Sequence, residues 1–194
     1  MPNNNNKSKL KDSLDSILIE LKSLTELVIE LNKPLANTKK LALTLNYDEA
    51  IPLYLIGDPV RVQRIILELI TNALTFTEQG KVTLTVRLSR SNYHESIIEI
   101  AVSDTGIGMS PEELKDIFTR FKRLTPSSQS IYKGEGLGLS IIKQFVDDVG
   151  GEILASSQVG QGTTLSCFIP FENPLIIDSV DIVGLIPIKV NSEV

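Results

Sequence analysis

GDPVRVQRIILELITNALTFT, residues 57–77, is the stretch on which the reading of this chain turns. Asp58 suits a helix N-cap and Pro59 the first helical turn, where its missing N–H costs nothing. Val62, Ile65, Ile66, Leu69, Ala73 and Phe76 follow at steps of three and four, the apolar face of a helix. Glu68 and Asn72 are four residues apart and share one face of that helix. A solvated surface would carry such a pair as readily as a working site would, so the pair needs company before it means anything.

On both sides of this helix the period changes to two. KLALTLNY (40–47), KVTLTVRL (81–88), SIIEIAVS (96–103) and TTLSCFIPF (163–171) alternate as half-buried strands do. A hairpin connection containing Asn92 joins the second and third. Upstream, Leu10, Leu14, Ile17, Leu21, Leu24, Val28 and Leu31 form a helical stripe, with Pro34 expected near its end. SPEE (110–113) marks another helix start, with Ser110 as cap, Pro111 next and Glu113 closing a capping box. This order favours an α/β chain built as a two-layer sandwich, helices over one face of a mixed sheet.

The chain has 194 residues, 42% of them apolar and 22% charged, an ordinary globular composition for one domain with appendages. Its net charge of −5 argues against an unaided nucleic-acid surface. The single cysteine, Cys167, rules out an internal disulfide and reads as a core residue in an alternating strand. No apolar run is long enough to span a membrane, so a cytoplasmic fragment is expected, whatever its parent protein contains.

Four further stretches carry chemistry. DTGIGM (104–109) puts Asp104 at a strand end, with Gly106 and Gly108 behind it. IFTRFKR (117–123) places Phe118 and Phe121 three apart on a helix beside Arg120, Lys122 and Arg123, a spacing equally suited to core packing. KGEGLGLSII (133–142) spaces Gly134, Gly136 and Gly138 at alternate positions ahead of a helix that stops at Gly150–Gly151. Glycine permits a turn and also a close approach of backbone to phosphate, and a helix start offers free N–H groups. The pattern is neither a P-loop nor a dinucleotide fingerprint. GQGTTL (160–165) leads into the last strand.

In this order and spacing the set resembles the ATP-binding catalytic domain of sensor histidine kinases, in the superfamily shared with the gyrase B subunit and MutL. The N box corresponds to ELITNALTFT (68–77), the first glycine box to DTGIGM and the F box to IFTRFKR. The second glycine box corresponds to GEGLGL (134–139), and GQGTT ends the series. The resemblance covers roughly residues 17 to 171, leaving 1–16 as a polar, partly disordered segment and 172–194 as a linker or added strand.

That resemblance implies a Bergerat-type fold holding ATP with Mg²⁺. Asp104 would accept from the adenine amine, since a carboxylate is acceptor-only at neutral pH. Gly106 and Gly108 would let backbone and water approach the ring, and Thr163 would support that end of the pocket. Asn72 would ligate Mg²⁺ through its amide oxygen. Gly134, Gly136, Leu137 and Gly138 would offer N–H groups to the phosphates, with Lys133 as a nearby cation. Met109, Phe118, Phe121 and Arg123 complete the implied ATP-binding set. Glu68 stands where many of these kinases have Asn and gyrase-type hydrolases have a Glu base, so it is the implied catalytic group. Residues 124–135 would form a lid.

The departures are specific. Thr75 replaces the usual N-box lysine, and Lys133 and Glu135 replace a Gly and a Thr of the second glycine box. The family's phosphoacceptor His-Glu/Asp motif is missing from a dimerisation helix, because the only histidine, His94, falls between two strands. The implied partners are therefore a separate dimerisation and phosphoacceptor domain and a downstream response regulator. The alternatives are a nucleotide-responsive module without transfer and an ATP hydrolase resting on Glu68.

Overall fold

The computed structural model describes residues 17–118 and 138–174. Expectations for residues 1–16, for Phe121, Arg123, Lys133, Gly134, Gly136 and Leu137, for the segment 124–135 and for 175–194 lie outside them.

Among the described residues seven strands form one mixed sheet: β1 (Ile17–Ile19), β2 (Ala42–Tyr47), β3 (Leu55–Gly57), β4 (Lys81–Ser91), β5 (Glu95–Asp104), β6 (Glu152–Gln158) and β7 (Gly162–Glu172). The main path runs β1-β3-β7-β5-β4-β2, with β6 also paired to β7. β4 and β5 pair antiparallel from Val82↔Asp104 to Ser91↔Ser96, and β5 continues onto β7 through Ser103↔Thr164. Among the described strands only β2 and β4 run parallel. Alternation marks the strands where the sheet meets the helices, broken in β5 by Ala101, which is buried between Ile100 and Val102. Val82, Leu84 and Val86, Ile98, Ile100 and Val102, and Leu165, Cys167 and Ile169 are buried. Burial pushes the Cys167 thiol up to about 12, as befits a core residue.

Four helices among the described residues accompany the sheet: α1 (Leu21–Thr38), α2 (Pro59–Phe76), α3 (Pro111–Lys115) and α4 (Gly138–Asp148). The caps read from sequence are present. Arg61 N–H donates to Asp58 Oδ1 at 2.9 Å, and Pro59 opens the helix. Ser110 and Glu113 exchange both bonds of a capping box, at 3.2 and 2.8 Å. α4 ends where Gly151 N–H returns to the Val146 carbonyl at 2.8 Å, with Gly150 in the left-handed region. α2 buries Val62, Ile65, Ile66, Leu69 and Ala73 as expected, and also Ile70 and Leu74. It packs against α1, α4 and the sheet at once, so a stripe read for one neighbour understated its buried face.

The upstream stripe is corrected. Ile17–Ile19 is not helical; it pairs antiparallel with Leu55–Gly57. The helix starts at Leu21 and runs through Pro34 to Thr38. It buries Leu21, Thr25, Val28, Ile29, Asn32 and Ala36, while Leu27, Leu31 and Leu35 are about half exposed. This face packs on α2 and β2, and its buried polar residues are satisfied within the helix. Thr25 Oγ1 donates to the Lys22 carbonyl at 2.8 Å and Asn32 Nδ2 to the Val28 carbonyl at 2.8 Å. The last strand runs to Glu172. Asn173 is then tied to the β4–β5 hairpin through the carbonyls of His94 and Asn92 and the hydroxyl of Ser96.

Candidate functional site

The inner end of β5 delivers Asp104 to the wall of a partly open cavity lined by α2, the 105–109 turn and the start of β7. Its two carboxylate oxygens are treated differently. Oδ1 accepts from Gly106 N–H at 2.8 Å and from Thr163 N–H at 3.2 Å. For Oδ2 no hydrogen bond is found among the described residues. Burial pushes this carboxyl above the ordinary aspartate value, while the two backbone N–H groups pull it back. It is a partly desolvated acceptor with one oxygen to spare.

Backbone crowding explains the glycines around it. A Cβ on Gly106 would stand 2.3 Å from the Phe76 carbonyl oxygen. On Gly108, at φ +65°, it would stand 2.0 Å from the Gln158 carbonyl oxygen. Sequence reading assigned these glycines to ligand approach. In the fold their missing side chains already let the 105–109 turn lie against the end of α2 and the β6–β7 hairpin. Ile107 N–H donates to Phe76 O at 3.3 Å, and Gly160 N–H to Ile107 O at 2.7 Å.

Helix α2 supplies the facing wall through Leu69, Asn72, Ala73 and Phe76. The Asn72 amide nitrogen is buried and has no partner among the described residues. A buried amide without a partner is costly, and Asn72 is one of the residues that line the cavity. Thr75, three residues on, turns its hydroxyl to the Thr71 carbonyl at 2.7 Å and does not line the cavity. Glu68 sits one turn earlier, paired with Arg64 at 3.0 Å, and is not in the wall. Lys39, at the end of α1, donates to the carbonyls of Leu74 and Thr75 and so caps the last turn of α2.

The structure thus brings Asn72, Asp104, Gly108, Met109 and Thr163 together around one cavity. Gly106 supports Asp104 from behind, and Gly138 opens α4. Phe118 packs half-buried against the core, and its neighbour Ile117 lines the cavity instead. The remaining walls come from Val102, Ile107, Leu139 and Leu165. Val102 and Leu165 read in sequence only as alternating strand residues, since nothing local distinguishes an apolar wall from an apolar core; Ile107 and Leu139 fell inside the two glycine boxes with no role of their own. Among the described residues no cluster of three or more His, Cys, Asp or Glu could hold a metal by itself. No helix there is long and apolar enough to cross a membrane.

Residues 57–173 match the family model described as histidine kinase-, DNA gyrase B-, and HSP90-like ATPase. The chain is 36% identical over 165 residues to the signal transduction histidine-protein kinase BarA of Escherichia coli, covering 84% of this chain and 18% of that protein. It is 33% identical over 150 residues to the sensor histidine kinase GacS of Pseudomonas protegens, covering 77% and 16%. The chain therefore spans less than a fifth of the length of these curated relatives. Among solved structures it is similar to full-length ShkA in complex with AMPPNP, with a TM-score of 0.69 and 28% identity over 81% of this chain and 31% of that one. The nucleotide-free catalytic domain of histidine kinase ThkA shares the fold, with a TM-score of 0.64 and 24% identity over 80% and 95% of the two chains. Site geometry, family match and relatives agree, and the chain belongs to the histidine kinase-, DNA gyrase B- and HSP90-like ATPase family.

Proposed function

We propose that this chain is the ATP-binding catalytic domain of a sensor histidine kinase. It binds ATP with Mg²⁺ in the cavity between α2 and the 105–109 turn and passes the γ-phosphate to a histidine on a separate dimerisation domain. The observation that carries this is the spare Oδ2 of Asp104, a partly desolvated acceptor at the cavity wall beside Thr163. Such a group favours an exocyclic amine over a carbonyl. Met109 and the apolar walls from Leu69, Val102, Ile117 and Leu165 supply a surface for an aromatic ring.

Asn72 fits the metal. Its buried side-chain amide has an unsatisfied end, and amide oxygen and nitrogen are interchangeable by a flip. Magnesium keeps few protein ligands and bridges substrate phosphates. When bound, the ion would neutralise charge developing on the transferring phosphoryl group. Asn72 would hold it, and the N–H groups at the start of α4 would orient the phosphates. Lys133, Gly134, Gly136, Leu137 and Arg123 are proposed to complete that end, with Phe118 and Phe121 closing over it. The pairing of Glu68 with Arg64 supports transfer to a supplied acceptor over hydrolysis by a Glu68 base. A downstream response regulator is the proposed receiver of the phosphoryl group. The proposed setting is cytoplasmic, without nucleic acid and without a membrane contact of this segment.

Calorimetry of Asp104→Asn tests the reading. Losing one charge-assisted hydrogen bond to the amine costs about 1.5–3 kcal/mol, a drop in ATP affinity of at least tenfold. Unchanged affinity would remove Asp104 from the adenine site.

A further inference from the structure

Ser157 lies on β6, outside the cavity wall, yet it meets both turns that frame Asp104. Its hydroxyl oxygen accepts from Met109 N–H at 2.8 Å and its proton is donated to the Gly162 carbonyl at 3.0 Å. A third neighbour, Thr163 Oγ1, stands 2.9 Å away. A serine hydroxyl has one proton and two acceptor sites. The Gly162 carbonyl can only accept, so the Ser157 proton is committed there. The proton in the Ser157–Thr163 contact must then come from Thr163. That leaves Thr163 Oγ1, a cavity-lining residue, with lone pairs alone to offer a ligand.

From this geometry we infer that Ser157 is a specificity-determining residue acting through Thr163. By taking the Thr163 proton it makes that hydroxyl an acceptor, so that Asp104 and Thr163 together present acceptors to the base. A 6-amino group can satisfy them and a 6-oxo group is repelled. The charge at Asp104 does not fix the second contact; without Ser157, the Thr163 hydroxyl is free to turn and donate to a carbonyl. The inference rests on the adenine reading above and names what enforces its selectivity.

The test compares binding of ATP and inosine triphosphate, which carries a 6-oxo group, to the whole chain with Mg²⁺ by calorimetry. Ser157→Ala should lower the ATP-to-inosine-triphosphate preference by about tenfold, the scale of one hydrogen-bond mismatch. Ser157→Thr, which keeps the hydroxyl, should restore it. A purely structural role would weaken both nucleotides by the same factor, leave the preference untouched, and overturn the inference. Should Ser157→Ala fail to fold, Thr163→Val removes the same acceptor and must lower the same preference; an unchanged preference there is equally fatal. Asp104→Asn separates the two readings. If it weakens ATP while the Ser157 variants leave the preference alone, only the Ser157 role is lost. If it leaves ATP unaffected, the adenine site itself falls.

Discussion

Asp104 sits half-buried at the cavity wall with one oxygen held by two N–H groups, and its burial has a consequence for stability. Its carboxyl is raised above the ordinary value chiefly by burial. A raised folded-state value means that the group favours the fold below the ordinary carboxylate range, and that this contribution is lost as pH rises through the raised value. Near neutral pH the ionised carboxylate therefore weighs against the fold. Asparagine can still accept from Gly106 and Thr163 and carries no charge. The same Asp104→Asn change that weakens ATP should raise the melting temperature near neutral pH, and the difference should close as pH falls through the carboxylate's raised value. Melts across that range check the sign, and a lower melting temperature near neutral pH would show that desolvation is not the dominant force on this group. Binding residues commonly carry such a cost.

At the scale of elements, α2 is held at both ends by side chains that belong to different parts of the chain. Asp58 caps its start from the adjacent residue, a local device. Lys39 caps its finish from 35 residues away, through the Leu74 carbonyl. A cation at a helix C-terminus answers both the unpaired carbonyls and the dipole. Lys39→Met keeps the aliphatic stem and removes the charge, which should cost about 1–2 kcal/mol, discounted for partial exposure. In a domain of this size that lowers the melting temperature by about 3–6 °C. An unchanged melt would mean that water replaces the ammonium without loss. Because Asn72 and Phe76 lie on these last turns, the cap also steadies the cavity wall.

At the scale of the whole molecule, β5 separates the two ends of the domain. His94 lies in the turn before Glu95, and Asp104 closes the same strand. Ten residues of extended chain span about 33 Å. A γ-phosphate placed near Asn72, as proposed above, would not reach a histidine at the far hairpin, and positioning supplies most of the catalysis in phosphoryl transfer. The chain alone, given radiolabelled ATP, should remain unlabelled, while a dimerisation domain supplied in trans should take the label. Acid-labile label that vanishes in His94→Ala would contradict this arrangement.

Much was legible in the residues because its physics is local. The caps at Asp58 and Ser110, the Gly150–Gly151 stop and the alternation of Val82, Leu84 and Val86 depend on neighbours within a turn or on one face of a strand. The boxes that carry Asn72, Asp104 and Thr163 were legible for the same reason, as short runs with fixed spacing. β1, β3 and β6 went unnamed, because the three-residue strands β1 and β3 form only through partners distant in sequence and β6 carries little alternation. The helical reading of the stripe holds from Leu21 to Leu31 and fails at Ile17, whose strand forms only through its distant partner Leu55–Gly57; nor can a period near 3.5 say which leucines face α2 and which face water. The crowding at Gly106 and Gly108, the Lys39 cap and the Ser157–Thr163 contact likewise join residues that only a folded sheet and its turns bring within hydrogen-bond reach. Local chemistry names the groups in the site; the direction in which each proton points is set by tertiary contacts, because a hydroxyl or carboxylate acquires its orientation from whatever surrounds it.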